Sequence, residues 1–414
     1  MRIVVIGAGV VGVATAYHLV RKGYQVHVID RSSHPCAGAS DVNACLLVPG
    51  DSGVWPGPSA PARFLKAMLG KAAGPLSVPA RSLPGLSRWG ADFLSRSRPG
   101  RSAGLTAASL ALSRYSVKQL GVILDETSID IDHFQGGMVF LYPDAAALAA
   151  GRRSHADLAA LGEDYVHLSP DDLVALDPAY AHVARHLHGA LHATSCGSGD
   201  CGAFTRLLAD RATRDGVTFS LGTKVSGLTF VSGQVSGVRT DAGEITADRV
   251  VIAAGHCSPA LLDGIARLPL APVRGYSVTV PILEPATVPR FGGYDDATHT
   301  AFARIGNRMR LASVAEFGPP RQPDARFAAL REAADRLCPD GALDWSAAVR
   351  ATGYRPVMSR DLPVIGEGPV RGLFLNTGHG HLGWTQACGS AAMLSDLISG
   401  RRPALDPAPF HIAA

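Results

Sequence analysis

The stretch Gly7-Ala8-Gly9-Val10-Val11-Gly12 constrains the fold more than any other part of this 414-residue chain. It follows directly on Arg2-Ile3-Val4-Val5-Ile6, an apolar, β-branched run too short for a stable helix and suited to a buried parallel strand. A helix is expected over residues 13–21, with Ala14, Tyr17, Leu19 and Val20 among its apolar positions. Lys22-Gly23 then supplies the cation and the glycine of a helix end. Gln25-Val26-His27-Val28-Ile29 reads as a second strand, ending in Asp30. Between a strand and a helix, glycines at this spacing turn the chain tightly, let a pyrophosphate approach backbone N–H groups, and pack the helix on the strand. Val10 and Val11 stand where those N–H groups and the positive end of the helix dipole would meet the anion. Asp30, 23 positions after Gly7, is placed to accept hydrogen bonds from a ribose, with Arg31 beside it. The unit predicts a dinucleotide site without deciding which dinucleotide.

Residues 1–20 are apolar behind a single Arg2 and superficially match a secretory leader. The spaced glycines and the strand that follows assign them to the fold instead. The length suffices for two domains and a large core. A net charge of +4, with no long Lys/Arg run and no nucleic-acid motif, argues against a nucleic-acid partner. Cys36, Cys45, Cys196, Cys201, Cys257, Cys338 and Cys388 contain no C-x-x-C pair, and their odd number and irregular spacing point to a reducing compartment rather than a disulfide framework. Apart from the glycine-rich amino terminus, no apolar run approaches the roughly 18 to 20 residues of a spanning helix.

Further along, Gly38 to Cys45 is a run of small and amide residues that either lines a cofactor by close backbone approach or forms a surface loop. Residues 49–100 are rich in Pro, Gly and Ser and carry short helices at 62–69 and 86–94. The first places Phe64, Leu65, Met68 and Leu69 beside Arg63, Lys66 and Lys71, so it either packs on its own domain or rests on an anionic membrane surface. Helices are expected at 107–126, 169–176, 199–215, 327–337 and 386–398, and strands at 136–142, 165–168, 217–219, 235–240, 244–255, 272–280, 301–315 and 373–376. His182, His186, His188 and His192 cluster, but only the first two have helical spacing and no cysteine or carboxylate completes a set. They read as exposed or hydrogen-bonded histidines rather than a metal site. The buried run ending in Ala253-Ala254-Gly255 suggests that the first sheet is completed far along the chain, which puts Gly255 among the cofactor-facing residues.

Five stretches remain: Val5-Ile6-Gly7-Ala8-Gly9-Val10-Val11-Gly12-Val13-Ala14-Thr15-Ala16; Gly199-Asp200-Cys201; Val273-Arg274-Gly275-Tyr276-Ser277-Val278-Thr279-Val280-Pro281; Gly353-Tyr354-Arg355-Pro356; and Leu375-Asn376-Thr377-Gly378-His379-Gly380-His381-Leu382-Gly383-Trp384-Thr385-Gln386-Ala387-Cys388-Gly389-Ser390. Together they resemble the glycine oxidase and D-amino acid oxidase superfamily of flavoproteins, and most of all its bacterial D-amino acid dehydrogenases, essentially end to end. The last stretch selects FAD over NAD.

The resemblance implies an α/β fold: a discontinuous Rossmann-type FAD-binding domain over residues 1–48, 195–270 and 345–414, and a second, α+β substrate domain over 49–194 and 271–344, built on a mixed or antiparallel sheet that roofs the flavin. It implies that Gly7, Gly9 and Gly12 face the pyrophosphate, Asp30 the ribose, and the backbone of Val225 the adenine. Ser40, Asn43 and Ala44 would lie beside the flavin, and Gly378, His379, Gly380, His381, Leu382 and Gly383 would approach its pyrimidine end, where backbone donors stabilise charge. Arg355 would grip the substrate carboxylate, because a planar guanidinium binds it bidentately and fixes the Cα–H over flavin N5. Tyr276 and Tyr354 would assist by hydrogen bonding or by closing the pocket. Where the dehydrogenases usually carry Asn-Ala-Gly, this chain has Asn43-Ala44-Cys45, so Cys45 is expected to add bulk near the flavin face.

The implied reaction is oxidative deamination of a D-amino acid: hydride transfer from Cα to flavin N5, hydrolysis of the imine to a 2-oxo acid and ammonia, and passage of electrons to a quinone-type acceptor from a peripheral position on the cytoplasmic face of the plasma membrane. A cyclic or secondary amine acid such as D-proline, 4-hydroxy-D-proline, sarcosine or glycine is the alternative substrate, kept open by Cys45 and by Trp55-Pro56-Gly57-Pro58. An NAD(P)-dependent dehydrogenase and a flavin-binding protein without turnover are the alternatives from other classes.

Overall fold

Strand Arg2–Ile6 lies at the centre of a six-stranded sheet, parallel to Arg249–Ile252 on one side and to Gln25–Ile29 on the other. The structure, a computed structural model, describes residues 1–57, 60–69, 76–79, 82–98, 100–320 and 322–412, without the side chains of residues 63 and 66–69. Leu373–Thr377 and Thr218–Ser220 extend the sheet in parallel, and Val364–Glu367 closes one edge antiparallel. Ile3, Val4 and Val5 are fully buried, as a central strand covered on both faces requires.

Helices Val10–Val20, Cys201–Arg214, Gly383–Ile398 and Arg101–Thr127 pack on one face, and the antiparallel three-stranded sheet Val225–Val231, Gln234–Thr240, Gly243–Thr246 covers the other. Arg101–Thr127 approaches Gly383–Ile398 through small residues. A Cβ at Gly389 would lie 2.8 Å from Ser116 Cα, and the Gly389 N–H donates to Ser116 Oγ at 2.9 Å.

The second sheet runs Val349–Met358, Leu270–Pro281, Arg308–Phe317, Thr300–Ile305, Gly292–Asp295, Met138–Tyr142, Gly189–Ala193, Tyr165–Leu168, and Leu76–Ser77 pairs with Arg308–Phe317. Its pairings are antiparallel except at Leu76–Ser77 and between Gly292–Asp295 and Met138–Tyr142, so it is mixed. It carries its own core of Val278, Leu311, Leu330 and Leu337.

Two expected boundaries move. Val349–Met358 pairs over ten positions with Leu270–Pro281, so Arg355 belongs to the second sheet rather than to a domain beginning at residue 345. Leu112, Leu120 and Ile123 of Arg101–Thr127 enter the first core, although residues 49–194 were expected in the substrate domain. The expected strand 301–315 is a hairpin that turns at Gly306 (φ +56°). The expected strand 244–255 divides between two sheets, because Asp248 turns the chain and accepts the Arg2 N–H at 2.7 Å. Helix Ala60–Leu69 sets the Phe64 ring 5.3 to 6.0 Å from the rings of Trp89, Phe93 and Phe317, on its own domain. The side chains of Arg63, Lys66, Met68 and Leu69, and all of Lys71, lie outside the described residues. No helix among the described residues is long and apolar enough to cross a membrane.

Candidate functional site

A cavity of about 560 Å3 runs between the two sheets. Its lining includes Gly7, Gly9, Val10, Val11, Asp30, Arg31, Val225 and Gly255. The glycine turn is tight for steric reasons: Gly7 has φ +112°, and a Cβ there would lie 2.5 Å from the Ala253 carbonyl oxygen. A Cβ at Gly12 would lie 1.9 Å from the Gly7 oxygen. Gly12 is therefore packed beneath the turn and does not line the cavity. Asp30 braces the same turn, its carboxylate accepting the Ala8 N–H at 2.7 Å and the Ser32 N–H at 2.8 Å. Each oxygen keeps lone pairs for a hydroxyl partner. Ser40 Oγ accepts the Val10 N–H at 3.1 Å, beside Gly9 at the start of the helix.

Ser40, Asn43 and Ala44 contribute one wall and Asn376, Gly378, His379, Gly380, His381 and Gly383 another. Gly378 (φ +84°) and Gly380 (φ +55°) shape the second wall, and a Cβ at Gly378 would lie 2.5 Å from Met358 Cγ. Burial pushes His379 down to about 3 and His381 to about 4, the charge of Arg355 adding to the latter, so both rings are neutral near pH 7. His379 Nε2 is 3.0 Å from Ser390 Oγ, and His381 stacks on Trp55. Leu382 turns instead into the apolar cluster of Val48, Met138 and Phe140.

Another part of the lining belongs to the second sheet. Arg355 is part of it and donates from Nη1 to the Val314 carbonyl at 2.7 Å. No described carboxylate pairs with its guanidinium, and burial lowers its pKa to about 10, which leaves it charged at neutral pH. Two features aim this side chain. A Cβ at Gly275 would lie 2.8 Å from Nη1, so glycine is needed for the guanidinium to cross that strand. Val314 sits at φ +72°, at a register shift between Leu270–Pro281 and Arg308–Phe317, and this strained bulge presents its carbonyl to Arg355. Tyr354 lines the cavity next to His256, its hydroxyl accepting from Arg274, whose guanidinium lies 4.8 Å from the ring centre.

Two expectations are corrected. Tyr276 touches the cavity, but its ring is 1% exposed and its hydroxyl donates to the buried Glu316 at 2.8 Å, so it is a core residue and not a partner for a bound molecule. Cys45 faces away from the cavity and packs with Ala303 and Ile305, so it adds no bulk there. Its backbone is left-handed at φ +58°, held by its N–H donating to Asn43 Oδ1 at 2.7 Å. Sequence reasoning missed Asp51, Gly275, Tyr294 and His256 at the cavity. Only Gly275 stood in a stretch already singled out. Among the described residues no cluster of His, Cys, Asp and Glu is arranged to hold a metal.

Two glycine-shaped turns and a buried guanidinium in the lining of one cavity fit a dinucleotide together with a small carboxylate. Residues 2–397 match the family model described as FAD dependent oxidoreductase. The chain is 38% identical over 412 residues to D-amino acid dehydrogenase 2 of Mesorhizobium japonicum, covering 98% of each chain. It is 39% identical over 415 residues to a D-amino acid dehydrogenase of Cereibacter sphaeroides, covering all of this chain and 95% of that one. Its fold matches a glycine oxidase from Geobacillus kaustophilus with a TM-score of 0.75 at 22% identity, over all of this chain and 98% of the other.

Proposed function

The chain belongs to the FAD-dependent oxidoreductase family, and from that premise we propose that it oxidises D-amino acids to 2-oxo acids and ammonia, passing the electrons to a quinone-type acceptor. The observation that carries the substrate class is Arg355, a charged guanidinium in the cavity lining with no carboxylate partner among the described residues. The names of the relatives at 38 and 39% identity support the D-configuration.

When bound, FAD supplies the hydride acceptor, flavin N5. Gly7, Gly9, Val10 and Val11 would hold its pyrophosphate, Asp30 its ribose, and the backbone at Val225 its adenine. Ser40, Asn43 and Ala44 would lie beside the flavin, with the 378–383 loop at its pyrimidine end. Arg355 binds the substrate carboxylate bidentately and fixes the Cα–H direction. The neutral His379 and His381 add no charge beside it, and Tyr354, held by Arg274, closes the pocket. No side chain would have to remove a proton from Cα, since a neutral amine can give up its Cα hydrogen as hydride and the resulting imine is hydrolysed by water.

The test is anaerobic mixing of the FAD-loaded protein with D- and L-amino acids, D-proline and 4-hydroxy-D-proline while flavin absorbance is followed. Bleaching by D-isomers alone is expected. Reoxidation should then be faster with a water-soluble quinone than with air. Bleaching by L-isomers, or by none, would sink the substrate assignment.

A further inference from the structure

Asp51 ends the short turn Pro49–Asp51 after strand Leu46–Leu47 and lines the same cavity as Arg355. Its surroundings hold it firmly. Tyr165 donates its hydroxyl to the Gly50 carbonyl at 2.7 Å, a Cβ at Gly50 would lie 3.1 Å from both Ala193 Cβ and Cys196 Sγ, and Ser52 Oγ donates to Ser113 Oγ at 2.7 Å.

The Asp51 carboxylate itself accepts no hydrogen bond from a described residue and has no described cation within ion-pair distance. Its charge acts on His155, Tyr142, Tyr165, Tyr294 and Cys196. Burial pushes the carboxyl up to about 6, with His155 opposing the rise, so it is ionised at neutral pH. Asp51 is half-buried, and its carboxylate oxygens, with no hydrogen-bond donor among the described residues, are free to accept from a bound molecule. The Asp51 backbone and the charge of Arg355 both act on the ring of His381, and all three residues line the one cavity.

We propose that Asp51 is a specificity-determining residue whose carboxylate receives an ammonium, guanidinium or hydroxyl group at the far end of the substrate side chain while Arg355 holds the α-carboxylate. This rests on the amino-acid reading of the site, and it selects basic and hydroxylated side chains over plain aliphatic ones. A charge-assisted hydrogen bond of this kind corresponds to about a tenfold to hundredfold preference.

The test uses two ligands that cannot turn over, 6-aminohexanoate and hexanoate, titrated into the FAD-loaded protein and read by the shift of flavin absorbance. The wild type is expected to bind 6-aminohexanoate about tenfold or more tightly than hexanoate, and Asp51→Asn, checked for flavin content, to bring the ratio near one. Equal affinities in the wild type, no binding of either ligand, or an unchanged ratio in Asp51→Asn would each overturn the proposal. The wild-type comparison decides even if the variant fails to fold. The ratio needs no turnover. Absence of bleaching by D-amino acids alongside a lost ratio in Asp51→Asn would therefore reject the oxidation reading and leave the Asp51 subsite standing.

Discussion

Around Gly7, Gly9 and Asp30 the cavity wall is a glycine turn braced within its own strand–helix–strand unit, with Val225 and Gly255 added from later in the chain. Around Arg355, Gly275, Asp51 and His381 it is built mostly of side chains carried by four separate segments. The first region works by excluding side chains, and the second by aiming them. A backbone cradle has no spare volume and fails sharply, whereas an aimed side chain can be displaced by degrees.

The largest effect is expected from Gly12→Ala, whose Cβ would collide with the Gly7 carbonyl oxygen. The purified protein should have lost most of its FAD, measured by the ratio of flavin to protein absorbance. A fully flavinated variant would break the contrast. Next, Arg355→Ala should keep its flavin but raise KM about a hundredfold, in line with removal of a bidentate charged pair. Wild-type KM would mean that the arginine does not hold the substrate.

Gly275→Ala sharpens the distinction, because the three atoms nearest its Cβ all belong to the movable end of Arg355. The variant should fold and bind FAD, with KM raised about tenfold through misplacement of the guanidinium. An effect as large as that of Gly12→Ala would show that the lining around Arg355 is as rigid as the cradle.

The smallest effect concerns Asp361, which supports the cavity wall by accepting the Trp55 N–H at 2.8 Å beneath Gly380. Burial pushes its carboxyl up to about 7, above the unfolded value of about 3.9, so the fold favours the protonated form. That stability is complete below about pH 3.9 and is lost as pH rises through about 7. Asp361→Asn should raise Tm at pH 8 relative to the wild type by a few degrees, with a smaller gain at pH 5. Equal differences at both pH values would reject the assignment.

Much of the first region was legible in advance. The strand, the glycine turn, the helix and Asp30 interact over short separations, and the Ala8 N–H to Asp30 bond joins residues of that same unit. The helix expected at 169–176 was legible for the same reason, and Ser169 closes a capping box there with Asp172. The second region was readable only as motifs. Arg355 stood in a recognisable stretch, but its membership of the second sheet follows from pairing with Leu270–Pro281. Asp51 carried no periodic signal at all, since a turn residue takes its surroundings from whatever packs over it.

The sequence by itself determined the nucleotide-binding unit, the α/β class and the family, because glycine spacing and strand character are local properties that survive in any arrangement of the remainder. The tertiary structure alone decided that Tyr276 gives its hydroxyl to Glu316, that Cys45 turns from the cavity and that Asp51 turns toward it. Which way a strand side chain faces depends on register, and a shift of one residue reverses it. The bulge at Val314 is such a shift, set by strands distant in the chain, and no local pattern records it.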